Sequence, residues 1–275
     1  MNSHTVRSIA ALLVAVCPAV ISPVLATDWL RVPDVRSMRL GGGGVMLSSA
    51  VNPALVAEEE QPKVFLSLID RYSVSGLATL SAALTLPNSH LPTAIHLATF
   101  GYDAYREWML RTAVARRLNE RISLGVALQY VTLQTELFDE RSTSLSADVG
   151  LFFTPNERFA LGLTLMNTPR ITFGERIATG SSSGWAVQAG GTWNITDDVR
   201  LLTGIGKGRR TPWEGNAGIE YSVAEGFHIG AGIAALPLLP AIGAGFEGRR
   251  FAIDVAATTH PVLGMSWGVA ITVHL

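Results

Sequence analysis

Large apolar residues alternate with small or polar residues along most of the chain beyond position 63. In the segment Ile122–Tyr130, the even positions carry Ile, Leu, Val, Leu and Tyr, whereas the odd positions carry Ser, Gly, Ala and Gln. Because successive side chains of a strand point to opposite faces, this alternation predicts a strand with one strongly apolar face. The same pattern recurs at 145–153, 159–166, 227–234, 251–255 and 267–275.

Segments of this kind number about 14 between Val64 and Leu275, and most are about 9–11 residues long. A tilted strand of that length crosses a bilayer. No segment with the 3.6-residue period of a long helix lies between them. The sequence therefore predicts an all-β membrane protein, an antiparallel outer-membrane β-barrel of about 14 strands in the bacterial outer membrane. A soluble two-sheet sandwich is the alternative.

The predicted connections alternate between tight turns and longer segments. Short periplasmic turns and longer extracellular loops are typical of outer-membrane barrels, whereas a soluble sandwich has no reason to separate its loops in this way. Tight polar turns are predicted at 118–121, 155–158, 196–198, 224–226 and 247–250, and longer connections at 132–144, 167–184, 207–215, 235–241 and 258–264.

The two faces of the predicted strands differ in kind. The apolar face carries Leu, Val, Ile and Phe, and tryptophans near strand ends fit the aromatic girdle of a membrane barrel. The other face is mostly Gly, Ala, Ser and Thr, whereas the solvent face of a sandwich would carry many charged residues. The tryptophans are Trp108, Trp185, Trp193, Trp213 and Trp267. The polar residues predicted to face the lumen are Gln129, Asp148, Gln188, Glu220, His228, Glu247, Asp254 and His274.

Composition and the N-terminus narrow the class of protein. The formal net charge is −1, which argues against a nucleic-acid partner, and charged residues make up 16% of the chain, against about 25% in soluble domains. Arg7, the apolar stretch Ile9–Val20 and a small-residue cleavage site at Ala26 predict a secretory signal peptide over residues 1–26. The single cysteine, Cys17, lies within it, so no thiol chemistry is expected in the remainder of the chain.

Candidate catalytic and metal-binding residues form no consistent site in the sequence. The Gly-x-Ser-x-Gly spelling at 180–184 lies in a predicted loop between strands, not at the strand-to-helix turn of a nucleophile elbow. The histidines at 90, 96, 228, 260 and 274 are scattered and lack the spacing of metal ligands. The sequence therefore predicts no enzyme, no metal and no cofactor.

A run of four glycines, Gly41–Gly44, precedes an Asn-Pro-Ala motif at 52–54 and three glutamates at 58–60. A phosphate-binding loop would need Gly-Lys-Ser/Thr after the glycines, and no lysine occurs before Lys63. The glycines instead suit a close approach or a sharp turn of the backbone. The residues of this motif are Gly41, Gly42, Gly43, Gly44, Asn52, Pro53 and Ala54.

A brief helix is predicted to begin within the Asn-Pro-Ala motif. Asn52 is a favourable N-cap, and Pro53 is favourable at the first helical position. The glutamates fall toward the end of this helix, where the helix dipole does not stabilise them. We expect them to be solvated or paired with arginines such as Arg36 and Arg39.

Three stretches of the chain resemble the PorV/PorQ family of outer-membrane proteins, within the wider superfamily of 14-stranded barrels that includes the FadL fatty-acid transporters. They are RSMRLGGGGVMLSSAVNPALVA, LRTAVARRLNERISLGVALQYV and HPVLGMSWGVAITVHL. The likeness covers about residues 35–275. The chain departs from the family pattern in a short spacing between the glycines and Asn-Pro-Ala, and in its terminal Leu275.

The resemblance implies that residues 27–62 fold into the barrel as a plug, with the barrel itself over 63–275. It also implies one of two roles, and the barrel strands do not distinguish them. PorV-like and PorQ-like members work with the type IX secretion machinery, whereas FadL-like members pass hydrophobic molecules. The brief plug and short chain favour a secretion-associated scaffold or cargo shuttle, with a hydrophobic channel as the alternative. Expected partners are outer-membrane lipid and either secretion proteins or a hydrophobic ligand.

Overall fold

The computed structural model describes residues 34–136, 140–174, 184–209, 211–235 and 237–275. The predicted signal peptide, residues 27–33 of the predicted plug and residues 180–183 of the Gly-x-Ser-x-Gly stretch lie outside the described residues. Two short α-helices, α1 (Val35–Arg39) and α2 (Gly44–Leu47), and a 3-10 helix (Pro53–Glu58) precede the strands. In these ranges no helix is long and apolar enough to cross a membrane.

The strands then follow one another to the end of the chain. They are β1 (Lys63–Asp70), β2 (Ala78–Leu86), β3 (Thr93–Tyr102), β4 (Tyr105–Asn119), β5 (Ile122–Thr135), β6 (Glu140–Asn156), β7 (Phe159–Met166), β8 (Arg170–Gly174), β9 (Ala186–Asn194), β10 (Val199–Gly208), β11 (Trp213–Ala224), β12 (Phe227–Ala235), β13 (Leu239–Glu247), β14 (Phe251–His260) and β15 (Gly264–His274).

The strands form a single antiparallel sheet that closes into a barrel. β1 to β7 pair in sequence order, as do β9 to β15; β8 pairs with β6, β7 pairs with β9, and β1 pairs with β15 to close the ring. β7 and β8 pair with successive parts of the same edge of β6, because β5 occupies the other edge along both parts. The barrel thus has 14 positions around its wall, one of them interrupted at 167–169, where Asn167 has a φ of 56°. The predicted barrel is confirmed.

The predicted difference in loop length is largely wrong. β5 runs to Thr135 and β6 begins at Glu140, so most of the predicted connection 132–144 is paired strand. The region is rich in Ser and Thr, which are typical of loops. Here two of these hydroxyl groups lie side by side on the paired strands, with Thr132 Oγ1 and Thr143 Oγ1 3.1 Å apart. Two other predicted longer connections are short as well, since β12 ends at Ala235 and β13 begins at Leu239, and β14 ends at His260 and β15 begins at Gly264.

The wall of the barrel is apolar on its outside. Large side chains such as Leu66, Leu128 and Ile271 are about half exposed on the outer face. All five tryptophans from residue 108 onward are exposed, and Trp193 stacks on Phe159 with 5.6 Å between ring centroids. Closure of the barrel pairs the strand backbones with one another, and the apolar outer wall suits contact with lipid. Both features are required for spanning a membrane with strands.

Residues 34–59, here called the lumen segment, lie inside the barrel. The 3-10 helix contacts β4, β5 and β6, α2 contacts β7 and β9, and α1 contacts β12 to β15. Aliphatic side chains of the segment, among them Val35, Leu40 and Val56, are fully buried. The small inner face of the wall makes this possible: a β-carbon at Gly125 would lie 2.3 Å from the Pro53 backbone, and one at Gly232 would lie 2.1 Å from the Leu40 backbone.

Candidate functional site

The glycine run forms the turn between α1 and α2. Gly41, Gly42 and Gly43 have φ values of 78°, 118° and 80°, a region that favours glycine. The turn also touches the wall, since a β-carbon on Gly41 would lie 2.4 Å from the Ile233 backbone. Gly44, which begins α2, has ordinary backbone angles and packs against Val51. Both conformation and close contact therefore require glycine here.

The Asn-Pro-Ala motif starts the 3-10 helix and attaches it to the barrel. Asn52 is fully buried, and its Oδ1 accepts a hydrogen bond from the Ala54 N–H at 3.1 Å. Its Nδ2 donates to the carbonyl oxygens of Val45 at 3.0 Å and of Leu151 on β6 at 3.1 Å. Pro53 occupies the first position of the helix. One amide thus caps a helix, ties two parts of the lumen segment together and joins them to the wall.

Charged side chains attach α1 to the side of the barrel that lies opposite the 3-10 helix. Arg39 is buried and forms ion pairs with Glu220 on β11 and Asp254 on β14. Arg36 donates to Glu220 at 2.8 Å and 3.2 Å, and Arg200 lies 3.5 Å from the same carboxylate. Burial alone would lower the pKa of Arg36, but the charge and hydrogen bond of Glu220, together with the charges of Asp254 and Glu247, outweigh burial and raise that pKa above its usual range.

The expected pairing of these arginines with the glutamates at 58–60 is therefore wrong. Glu58 instead pairs with Arg117 at 3.0 Å and accepts a hydrogen bond from Ser123, while Glu59 pairs with Lys63 at 2.6 Å. The reason is topological: the glutamates follow the 3-10 helix near β4 and β5, whereas α1 faces β12 to β15.

A second buried ion pair lies in the wall itself. Arg111 on β4 donates to Asp148 on β6, and both side chains are 1% exposed. The other oxygen of Asp148 accepts a hydrogen bond from the Asn167 N–H at 2.7 Å, at the interruption between β7 and β8. His96 on β3 is the register partner of Arg111 and is also buried. Gln129 on β5 lies between Arg111 and Ser146 in the ladder.

Two cavities lie on either side of the lumen segment, and Asp34 borders both. We call the smaller one, of about 160 Å³, the inner cavity; it lies at the end of the barrel where β1 begins and β15 ends. The outer cavity, of about 460 Å³, lies toward the opposite end. The inner cavity is bordered by Arg36, Lys63, His96, His228, Glu247 and His274, and the outer cavity by Met38, Gly41–Gly44, Ile69, Gln188, Asn216 and His260.

The eight residues predicted to face the lumen do not form a single cluster. Glu220 and Asp254 bind α1, and Asp254 also borders the inner cavity with His228, Glu247 and His274. Asp148 and Gln129 lie on β6 and β5, and Gln188 borders the outer cavity. Within the described ranges, no group of three or more acidic, histidine or cysteine residues could hold a metal.

Sequence reasoning missed Arg111 and His260 as residues of the lumen. Arg111 could have been found, because it interrupts the small-residue face formed by Ala113 and Ala115 on the same strand. Arg39 lies in the predicted plug, but its partners Glu220 and Asp254 were not predicted. His260 lies at the end of β14, within the segment that was predicted to be a loop.

Comparisons with known proteins were made on sequence and on structure. No protein-family model and no curated protein sequence matches the chain. The structure is similar to the CymD monoaromatic hydrocarbon channel, with a TM-score of 0.61 and 11% identity over 86% of this chain and 94% of that one. The chain has the fold of a 14-stranded outer-membrane β-barrel. Together with the apolar outer wall, this fold places the protein in the bacterial outer membrane, as the sequence predicts.

Two further solved structures give the same result. A Pseudomonas aeruginosa FadL homologue is 12% identical, with a TM-score of 0.58 over 86% of this chain and 95% of that one. The Pseudomonas putida toluene transporter TodX is 9% identical, with a TM-score of 0.56 over 86% and 95%. The similarity therefore shows that the chain shares the barrel fold of these proteins, and it does not point to the PorV/PorQ family in particular.

Proposed function

We propose that this protein is an outer-membrane channel that admits small hydrophobic molecules. The observation that carries the proposal is the outer cavity, which lies between the lumen segment and the wall. Apolar side chains from both sides border it, including Met38 and Val45 from the segment and Ile69 from β1. A concave space with mostly apolar walls and a few polar groups is the usual form of a small-molecule site.

The fold comparisons favour this role over the secretion-associated one. The three similar solved structures are named as a monoaromatic hydrocarbon channel, a FadL homologue and a toluene transporter, and none of the three is named as a secretion component or an enzyme. Of the three stretches that resemble PorV/PorQ, the first lies in the lumen segment and serves its attachment, as Asn52 illustrates. We therefore take the channel, which is not an enzyme, as the function to test.

In this proposal the lumen segment separates entry from exit. A ligand reaches the outer cavity from outside the cell. Gly41–Gly44 of the lumen segment form part of the floor of this cavity. The inner cavity beyond the segment is bordered by charged side chains such as Arg36, Lys63 and Glu247, which do not favour an apolar molecule. Passage toward the periplasm therefore requires the segment to shift, and its attachments to the wall set how readily it does so.

A pair of variants tests the proposal. Gly206 lies on the inner face of β10 beside the outer cavity, and a side chain added there would first meet the flexible Gln188 at 3.3 Å. Gly206→Phe should therefore fill the cavity and reduce toluene uptake by outer-membrane vesicles at least fivefold. Ile219→Phe, on the adjacent β11, changes an outward side chain that is 45% exposed and borders neither cavity, and it should leave uptake unchanged.

The comparison is made at equal amounts of folded barrel, measured by heat-dependent gel migration. If Gly206→Phe and the wild type take up toluene at the same rate, the outer cavity is not on the route and the proposal fails. If wild-type vesicles take up toluene no faster than vesicles lacking the protein, the channel function itself is wrong.

A further inference from the structure

The neutral ring of His260, at the end of β14, has a defined tautomer. The ring is buried, and its Nδ1 accepts hydrogen bonds from the N–H groups of Val262 and Leu263, both at 3.1 Å. A ring nitrogen that accepts hydrogen bonds carries no proton, so the proton of the neutral ring is on Nε2. The turn between β14 and β15 therefore fixes His260 as a hydrogen-bond donor through Nε2.

The Nε2 atom is buried and has no hydrogen-bond partner in the part of the chain that the structure describes. The residue borders the outer cavity. The ring is held by an edge-to-face contact with Tyr72, with 5.9 Å between centroids. The Tyr72 N–H in turn donates to Ser266 Oγ at 2.9 Å. A donor held in this way beside a cavity is suited to a ligand atom that accepts a hydrogen bond.

The charges around the outer cavity indicate what kind of acceptor it takes. Among the described residues, Asp34 and Glu214 border the cavity, against one cation, Arg71. The Arg71 guanidinium is itself placed over the Phe100 ring, 5.2 Å from its centroid. Two carboxyl groups against one engaged cation do not favour a carboxylate ligand, because like charges in a lumen repel. A neutral oxygen, such as that of a ketone, ester or alcohol, meets the donor without this repulsion.

We propose that His260 determines specificity by donating a hydrogen bond to a neutral oxygen of a hydrophobic ligand in the outer cavity. The inference rests on the proposed channel function and names the ligand class within it. The volume of about 460 Å³ is ample for one aromatic ring with a substituent, since an apolar protein cavity of about 150 Å³ holds benzene. The ligand class is therefore oxygenated aromatic or terpene-sized molecules, in addition to plain hydrocarbons.

Two probes of nearly the same shape test this assignment. Acetophenone carries a carbonyl oxygen where α-methylstyrene carries a methylene group, so only the first accepts a hydrogen bond. Binding is measured by equilibrium dialysis of the full chain in nanodiscs, with empty nanodiscs subtracted. The wild type should prefer acetophenone about five- to tenfold, the effect of one buried hydrogen bond. Benzoate should bind more weakly than acetophenone.

The variant His260→Phe should lose the preference and still bind α-methylstyrene, which also shows that the variant is folded. The matched control His228→Phe alters a histidine of the inner cavity and should keep the wild-type preference. Equal binding of both probes by the wild type, or an unchanged preference in His260→Phe, would overturn the role of His260 while leaving the channel intact. Stronger binding of benzoate would overturn the neutral ligand class. Failure of both probes to bind would reject the channel proposal as well.

Discussion

The two ends of the lumen segment are attached to the barrel by different kinds of interaction. α1 is held to β11 and β14 by buried ion pairs of Arg39 with Glu220 and Asp254. The 3-10 helix is held to β6 by the neutral amide of Asn52 and to β4 and β5 by apolar packing around Val56. Ion pairs lose much when one partner is removed, whereas neutral hydrogen bonds and apolar contacts lose less. The charged end is therefore the more sensitive one.

The largest effect is expected from removing most of the lumen segment. Deletion of residues 41–60 takes out the glycine turn, α2 and the 3-10 helix, but it leaves every strand in place. The barrel should still insert, and it should leak small solutes because the two cavities become continuous. Ion conductance in planar bilayers checks this. Unchanged permeability would contradict the plug role of the segment.

Removing the acid shared by the arginines of α1 should have the next largest effect. Glu220→Ala leaves Arg39, which is 1% exposed, with Asp254 alone, and it removes the partner of Arg36. We expect a loss of about 3 kcal/mol in the free energy of unfolding and more frequent channel opening. The temperature of the folded-to-unfolded shift on gels and single-channel recordings report the two effects. Glu225→Ala, in the exposed turn after β11, is the matched control and should behave as the wild type.

The neutral attachment is tested at Asn52. Asn52→Ala removes the N-cap and leaves the carbonyls of Val45 and Leu151 without this donor, for an expected loss of about 2 kcal/mol. Asn52→Asp keeps the capping oxygen and removes only the N–H donor. If the cap contributes on its own, Asn52→Asp should lower the free energy of unfolding less than Asn52→Ala does. Asn88→Ala, which caps an exposed turn, should change the gel-shift temperature little. A stability loss at Asn52 greater than at Glu220 would reverse the proposed order of the two ends.

The smallest effect is expected at the exposed ion pair of the 3-10 helix. Arg117 and Glu58 are 50% and 30% exposed, and pairs of this kind contribute about 0.5 kcal/mol or less. Arg117→Ala should therefore leave the gel-shift temperature and the conductance nearly unchanged. A loss comparable to that of Glu220→Ala would show that exposure does not explain the difference between the two ends.

Local patterns were enough to predict the wall of the barrel. The alternation along Ile122–Tyr130 determines which side chains face lipid, because the period of a strand is two. The tight turns repeat as well: Asn119-Glu120-Arg121 and Asn156-Glu157-Arg158 both use the Asn side chain to accept from two backbone N–H groups. Four residues beyond each turn, at Gly125 and Gly162, the inner face meets the lumen segment. This spacing was visible in the sequence, but its meaning depends on what fills the lumen.

The contents of the lumen could not be predicted in the same way. Arg39 and Glu220 are 181 residues apart in the chain, and no local period relates them. The loop lengths were mistaken because Thr and Ser in the rim of β5 and β6 have the composition of loops and the hydrogen bonding of strands. The interruption between β7 and β8 depends on Asp148, whose carboxylate reaches the Asn167 backbone from the adjacent strand. Such tertiary contacts decide the site.

The attachment of α1 also constrains the order in which the chain can assemble. Its acidic partners are 181 and 215 residues further along, on β11 and β14. α1 therefore cannot reach its final ion pairs until the last third of the protein has joined the wall. Contacts this distant in sequence are slow to form. During biogenesis, the arginines of α1 stay hydrated until the ring of strands around them is nearly complete.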